Sequence, residues 1–256
     1  MTQEQFQEIK NSAWAWYRGN MLEWAIKTLK DIPNAPDWVK GMFDDKSFEA
    51  SLDKQEFIEN YNDDIEAVLI ASQELNWEVN FSEEQREFYK AIRDNDEYKM
   101  VDALCDMCVV SMNAGIDYRE GVIDKLLMMG TINLRSIAPS NVLSDRNIGY
   151  IVAMLQLKGY DPYKCLLETI KELETRTGAW NDEEGKWCKD LGAYTEQEAY
   201  EIAKEKGIFY NFGLEYDKKT KEPYWVSDTN DSADWKKLKI KKWYKADYTK
   251  CKMDKQ

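Results

Sequence analysis

The residues best suited to chemistry are carboxylates on two consecutive segments of this 256-residue chain. The first segment carries Glu83, Glu84 and Glu87, and spacings of three and four residues put Glu87 on one helical face with the other two. The second segment carries Asp102 and Asp106, which are four residues apart and also share a face. We therefore expect oxygen ligands from both segments to serve one site.

The surroundings of the two aspartates favour a metal ion. Residues 100–112 are otherwise apolar on almost every side, which is typical of a buried helix. Burying an unpaired carboxylate is costly, and no Lys or Arg occurs in residues 100–118 to pair with Asp102 or Asp106. Four or five converging carboxylates suit Mg²⁺, with Mn²⁺ as a second option. A salt-bridged structural cluster is the alternative, and the Glu-rich segment alone is also typical of a solvated helix N-terminus.

Two antiparallel helices must position these carboxylates. The first is predicted over 82–94, where Ser82 begins a capping-box pattern, and the second over 96–114. A tight turn near residues 93–96 makes the helices neighbours. The apolar spacing of 3.6 residues predicts further helices at 3–17, 22–31, 47–60, 63–76, 117–129, 146–158, 161–175 and 195–206.

This pattern predicts an all-α fold. We expect a helical bundle that contains the catalytic site over residues 47–206, preceded by an N-terminal helical arm over 1–46. An aromatic and basic C-terminal extension, 207–256, is expected to be mixed and partly irregular, with room for a small hairpin within 208–234.

Composition excludes several classes of protein. The chain has no His, which rules out Ser-His-Asp triads, HExxH zinc sites and C2H2 fingers. The net charge of −13 argues against general nucleic-acid binding, although residues 236–256 hold nine Lys against two Asp. No apolar run is long enough for a membrane span, and the N-terminus does not have the pattern of a signal peptide. Five Cys, including the Cys105/Cys108 pair, are expected to be free thiols in a cytoplasmic protein.

The two carboxylate motifs resemble those of a known enzyme family. An EExxE helix, a short turn and the helix VDALCDMCVVSMNAG are similar to the all-α, MazG-like nucleoside triphosphate pyrophosphohydrolases, which are related to dimeric dUTPases. The likeness is strongest to members found in tailed phages, and it covers about residues 63–130. The resemblance implies that both motifs hold Mg²⁺, which activates a water for attack on a triphosphate. The products would be a nucleoside monophosphate and pyrophosphate.

One position departs from the family pattern. Many relatives carry Glu where this chain has Ala103, so either Asp102 takes over that role or Glu97 substitutes for it. Glu84 is the candidate general base for the attacking water. The spacing does not settle which Glu binds the metal and which accepts the proton.

Two later segments also resemble phage-type members. Residues 164–190 carry Arg176, Lys186 and Lys189, as in a basic loop that follows the last helix of such proteins. The segment 243–251 (WYKADYTKC) resembles their tail and brings Tyr244 beside Lys245. Because a triphosphate needs cations and a base can stack on an aromatic ring, these are predicted substrate contacts. Packed aromatics and surface lysines are the alternative interpretation.

Asn113 completes the predicted substrate contacts, because it lies seven residues after Asp106 on the stripe of the two aspartates. The predicted partner is a nucleoside triphosphate, with neither nucleic acid nor membrane. At least a homodimer is expected, unless the helices of 146–175 complete the bundle within one chain. The competing hypothesis is a catalytically silent, acidic helical module that binds another protein.

Overall fold

The structure, a computed structural model, describes residues 1–30, 62–118, 145–181, 183–184, 186–206, 208–229 and 236–253. It divides the chain into two compact units. The first unit comprises Met1–Ile170 and Asp247–Gln256, and the second comprises Lys171–Ala246. The predicted helices at 47–60 and 117–129 and the predicted boundary at 46/47 lie outside the described residues.

Helices form the first unit. They are α1 (Gln3–Lys30), α2 (Asn62–Asp94), α3 (Glu97–Asn113), α4 (Asp145–Leu157) and α5 (Pro162–Thr175), whose last turn belongs to the second unit; a 3-10 helix covers Tyr248–Cys251. α3 packs against α1, α2 and α4, and this contact encloses its apolar residues within one chain. The side chain of Asp96 caps α3 by accepting a hydrogen bond from the backbone N–H of Lys99 at 3.0 Å.

Several predicted helices are confirmed and two predicted breaks are wrong. The turn between α2 and α3 lies where the sequence predicts it, with Asn95 at φ +52. However, Ser82 does not begin a helix, because α2 continues through it without interruption. The rings of Trp77 and Phe81, four residues apart, stack with centroids 4.7 Å apart and are buried, so packing carries the helix through this point. α1 is likewise one helix where two were predicted.

The second unit is mostly β-structure. β1 (Gly178–Asn181) and β2 (Lys186–Lys189) form an antiparallel hairpin, in which Trp180 lies opposite Trp187. A second sheet has the strand order β3 (Gly192–Ala193), β6 (Lys236–Lys242), β5 (Pro223–Thr229) and β4 (Ile208–Tyr216). β3 runs parallel to β6, and the other neighbours are antiparallel. α6 (Glu196–Glu205) packs on this sheet through small residues, with Ala199 and Ala203 against Trp225 and Ile240.

The all-α fold class is therefore wrong. The part of the chain that the structure describes has six helices and two β-sheets. The predicted hairpin within 208–234 exists as β4 and β5, but the supposed basic loop before it is the β1–β2 hairpin. The lysine-rich tail contains β6 because Leu238 and Ile240 alternate with lysines and turn toward the core of the second unit. Helical periodicity is strong over the long helices of the first unit, whereas the two-residue alternation of the second unit extends over short strands and is a weaker signal.

Candidate functional site

α3 presents two carboxylates on an otherwise buried helix. From Met100 to Val109, a fully described stretch, Asp102 and Asp106 are the only side chains that are not buried. The other side chains of this stretch lie in the core of the first unit. The two aspartates are thus held rigidly while remaining partly accessible to an ion or a ligand.

Burial distinguishes the glutamates of α2 from one another. Glu84 lies eleven residues before Asn95 at the turn, and Asp106 lies eleven residues after it. Because both helices rise equally per residue, Glu84 and Asp106 stand level on neighbouring antiparallel helices. Glu84 is half-buried, whereas Glu83 and Glu87 are exposed. Of the three glutamates, Glu84 is therefore the one that matches the aspartates both in burial and in position along the helix axis.

The departure from the family pattern has a structural counterpart. Ala103 is 2% exposed, so a Glu at this position would enter the core. Its neighbour Asp102 is half-buried, so the carboxylate of Asp102 remains partly accessible. Glu97, the other candidate, is exposed, and its carboxylate lies 3.4 Å from Nζ of Lys252.

A tyrosine far along the chain contacts the candidate site. The hydroxyl of Tyr248 donates a hydrogen bond to Oδ1 of Asp102 at 2.8 Å and lies 3.0 Å from Oγ1 of Thr169. The Tyr98 ring packs on the Tyr248 ring with centroids 5.3 Å apart. Sequence reasoning missed this contact, although Tyr248 belongs to the aromatic tail segment that it singled out.

Tyr248 stays protonated at neutral pH. Burial raises the pKa of its hydroxyl well above the usual range, and Cys105, Asp102 and Asp106 raise it further. The hydroxyl is therefore a permanent donor that orients Asp102. Hydrogen-bonded neighbours of this kind commonly fix the geometry of metal-binding carboxylates.

The donor set suits Mg²⁺, because all the candidate ligands are carboxylate oxygens. Among the described residues, no group of three or more Asp, Glu, Cys or His side chains is arranged to hold a metal ion. Mg²⁺ in nucleotide sites usually keeps several waters and takes one or two carboxylates, with substrate phosphates as further ligands. Asp102 and Asp106 supply such a pair, so the residues present fit an ion that a triphosphate helps to hold.

Asn113 is a buried amide near the end of α3. Its side chain is 2% exposed, and within the described residues neither Oδ1 nor Nδ2 has a hydrogen-bond partner. It lies on the same side of α3 as Asp106. An unsatisfied buried polar group costs about 1–3 kcal/mol. A bound molecule with both a donor and an acceptor would offset that cost.

Arg176 already serves a buried carboxylate of the second unit. Its Nη2 forms an ion pair with Oε1 of Glu172, and its Nε donates to the hydroxyl of Tyr194 at 3.1 Å. Glu172 is 7% exposed and also accepts from the backbone N–H of Ala246 at 2.9 Å. Arg176 therefore neutralises Glu172, a role that the sequence did not predict.

The other predicted substrate contacts also belong to the second unit. Lys186 and Lys189 are exposed on β2, and Nζ of Lys186 lies 2.7 Å from the carboxylate of Glu184. The hydrogen bond and charge of Glu184 raise the pKa of Lys186. Tyr244 and Lys245 line a cavity of about 470 Å³ within this unit.

The predicted site residues thus fall into two groups. The first unit holds Glu83, Glu84, Glu87, Asp102, Asp106 and Asn113, and the second holds Arg176, Lys186, Lys189, Tyr244 and Lys245. The sequence analysis did not find Tyr194 and Lys242, which line the cavity with Trp243 and Tyr244. The alternation in 236–242 was the available signal, because it predicts a strand that ends beside these residues.

Comparison of the chain with protein-family models, with curated proteins and with solved structures finds no match. The likeness to nucleotide pyrophosphohydrolases therefore rests on the motifs of the sequence alone. Among the described residues, no helix is both long and apolar enough to cross a membrane.

Proposed function

We propose that this protein is a Mg²⁺-dependent nucleoside triphosphate pyrophosphohydrolase, which converts its substrate into the monophosphate and pyrophosphate. One observation carries the proposal: Asp102 and Asp106 are the two accessible side chains on an otherwise buried stretch of α3. Their partial exposure on a rigid, buried helix leaves both carboxylates accessible to an ion or a ligand. The motif resemblance adds the substrate class.

Each side chain has a role in the proposed reaction. Asp102 and Asp106 would hold the ion, and the hydroxyl of Tyr248 orients Asp102. When bound, Mg²⁺ would supply neutralisation of the pyrophosphate leaving group and a lower pKa for a bound water. Glu84 accepts the proton of the attacking water. The water oxygen bonds to a phosphorus of the α–β anhydride, and the bond from that phosphorus to the bridging oxygen breaks.

The remaining predicted contacts differ in how well they suit this role. Asn113 is the strongest candidate for a contact to the base or sugar, because its buried amide gains partners when a ligand binds. Lys186, Lys189, Tyr244 and Lys245 belong to the second unit, so the arrangement of carboxylates in the first unit does not bear on them. Arg176 suits the role least, because binding a phosphate would compete with its ion pair to the buried Glu172.

The test is hydrolysis of a panel of nucleoside and deoxynucleoside triphosphates with Mg²⁺, measured as pyrophosphate release. Asp106→Asn keeps the shape of the side chain but removes its charge, so we expect it to abolish turnover while circular dichroism stays unchanged. Asp94→Asn, at an exposed position near the end of α2, is the matched control and should leave turnover intact. Normal turnover by Asp106→Asn would contradict the proposal at its centre.

A second outcome distinguishes the enzyme from the competing hypothesis, a protein-interaction module. An enzyme of this kind is stabilised against unfolding by Mg²⁺ and nucleotide together. If no nucleotide of the panel is hydrolysed and none raises the unfolding temperature with Mg²⁺, the protein-interaction module replaces the enzyme as the explanation.

A further inference from the structure

The second unit contains a cavity of about 470 Å³, a volume within the range of small-molecule sites. The last turn of α5 forms one side, with Lys171 and Thr175, and Glu222 and Pro223 at the start of β5 form another. The end of β6 and the segment 243–245 close it. Every lining residue belongs to the second unit, so the cavity is formed without the carboxylates of α2 and α3.

The charge of the lining favours an anion. Four lysines face two glutamates around the cavity: Lys171, Lys241, Lys242 and Lys245 against Glu174 and Glu222. This surplus is local, because residues 171–246 as a whole carry fifteen Lys and Arg against sixteen Asp and Glu. Nζ of Lys241 is held 2.6 Å from Oγ1 of Thr177 and 3.2 Å from the carboxylate of Asp190. Lys242 and Lys245 are exposed, so they can reach a ligand without leaving a buried position.

The aromatic side of the cavity is fixed in place. The Trp243 ring lies against the backbone at Gly192, where a Cβ atom would stand 2.1 Å from the ring. The Tyr194 ring packs on it with centroids 5.8 Å apart. The Tyr194 hydroxyl donates to Oε1 of Glu172 at 3.0 Å, which ties the ring to the network of Arg176. Trp243 is itself buried, so its role is to hold the partly exposed Tyr194 ring, and a preordered ring of this kind binds a planar ligand at little entropic cost.

Cations and flat aromatic rings together suit a ligand that combines phosphate groups with a planar ring. We propose that the cavity of the second unit is a nucleotide-binding site, in which Lys242 and Lys245 contact the phosphates and the partly exposed rings of Tyr194 and Tyr244 contact the base. The cavity binds its nucleotide without Mg²⁺ and without Asp106. The inference is therefore independent of the hydrolysis proposed for the first unit.

The experiment is calorimetric titration of the full chain with dATP in the presence of EDTA. We expect saturable binding of one nucleotide. A lysine that contacts phosphate makes a charge-assisted hydrogen bond, so Lys242→Ala and Lys245→Ala should each weaken binding about tenfold. Lys237→Ala is the matched control, because Lys237 lies exposed on the same strand outside the cavity lining. It should change the affinity less than twofold.

Further titrations identify which part of the ligand is recognised and which site binds it. Asp106→Asn should bind dATP in EDTA as the native chain does, and inorganic triphosphate and deoxyadenosine should each bind more weakly than dATP. Absence of dATP binding in EDTA would overturn the proposal, as would native affinity in the Lys242→Ala/Lys245→Ala double variant. A single-stranded oligonucleotide that binds more tightly than dATP, with Lys237→Ala as harmful as Lys245→Ala, would replace the cavity with a nucleic-acid surface.

Discussion

The hydrogen bond from Tyr248 to Asp102 joins two residues that are far apart in the sequence. Tyr248 is 2% exposed, so its hydroxyl has little access to water and depends on protein partners. A hydrogen bond to a charged group contributes about 1.5–3 kcal/mol. This contact therefore both anchors the 3-10 helix of the first unit and orients a proposed metal ligand.

Tyr248→Phe should lower the free energy of unfolding by about 2 kcal/mol at pH 7, because Asp102 loses its donor. The pH dependence has a definite sign. The pKa of Tyr248 is raised in the folded state, so its contribution is complete below the unfolded value of about 10. As the pH rises above that value, only the unfolded chain ionises, and the contribution falls. Urea unfolding should therefore show a smaller difference in the free energy of unfolding between the native chain and the variant at pH 10.5 than at pH 8.

Tyr216→Phe is the control for this measurement, because Tyr216 is 59% exposed. It should change neither the stability nor its pH dependence. A gap for Tyr248→Phe that stays constant between the two pH values would contradict the protonated, buried hydroxyl.

The cysteines differ in reactivity because they differ in burial. All five are free; Cys105, Cys108, Cys165 and Cys251 are buried, and Cys188 is partly exposed. Burial raises the pKa of Cys108 to about 12, which leaves almost no reactive thiolate at pH 8. Ellman's reagent should therefore modify one thiol rapidly in the folded protein and five in urea. Cys188→Ser should remove the rapid phase, and its persistence would show that a buried cysteine is accessible.

At the scale of elements, the ends of α3 and α4 depend on glycines in the left-handed region. Gly115 has φ +81 and Gly159 has φ +82, so an alanine at either position bears a similar backbone strain of about 1–2 kcal/mol. The two sites differ in the room that is available for a Cβ atom. A Cβ at Gly115 would lie 3.0 Å from Cγ2 of Ile70, whereas one at Gly159 would have nothing within 4 Å.

We therefore expect Gly115→Ala to destabilise the protein more than Gly159→Ala, by about 1 kcal/mol, because only the first adds crowding to strain. Urea unfolding at neutral pH measures both. Gly19→Ala, within α1 and in open space, is a third reference and should be neutral or stabilising. Equal costs at Gly115 and Gly159 would show that Ile70 moves aside freely.

At the scale of the whole molecule, acidic charge is concentrated in the first unit. Of 35 Lys and Arg and 48 Asp and Glu, the second unit holds fifteen and sixteen, which leaves twenty against thirty-two for the first. Repulsion within such a unit lowers its stability at low ionic strength and is screened by salt. Any cation reduces this repulsion in part by screening. A specific site would add a further stabilisation that only Mg²⁺ produces.

MgCl₂ should therefore raise the unfolding temperature more than NaCl of equal ionic strength. At ten times the dissociation constant, a single site contributes about 1.4 kcal/mol, which corresponds to about 3–6 °C for a chain of this length. Asp106→Asn should respond equally to the two salts. An identical response of the native chain to both salts would show that no specific Mg²⁺ site forms in the absence of nucleotide. Sedimentation tests the predicted dimer separately, by comparing the mass of the species in solution with the chain mass of 30.1 kDa.

The sequence by itself determined the local features of the candidate site. The α2–α3 turn, the position of α3, and the Thr195–Glu198 capping box that begins α6 follow from patterns within a few residues of each other. Helical periodicity and caps are local, because each hydrogen bond of a helix joins residues four apart. The helical stripe that carries Asp102 and Asp106 could be predicted from the sequence for the same reason.

Only the tertiary structure decided what lies around that stripe. The parallel pairing of β3 with β6 joins Gly192 to Lys241, and the contact of Tyr248 with Asp102 spans still more of the chain. Such pairings depend on which surfaces meet when the whole chain packs, and a local pattern does not encode this. The distinction between half-buried Glu84 and exposed Glu83 has the same origin, because burial is a property of the neighbours and not of the residue.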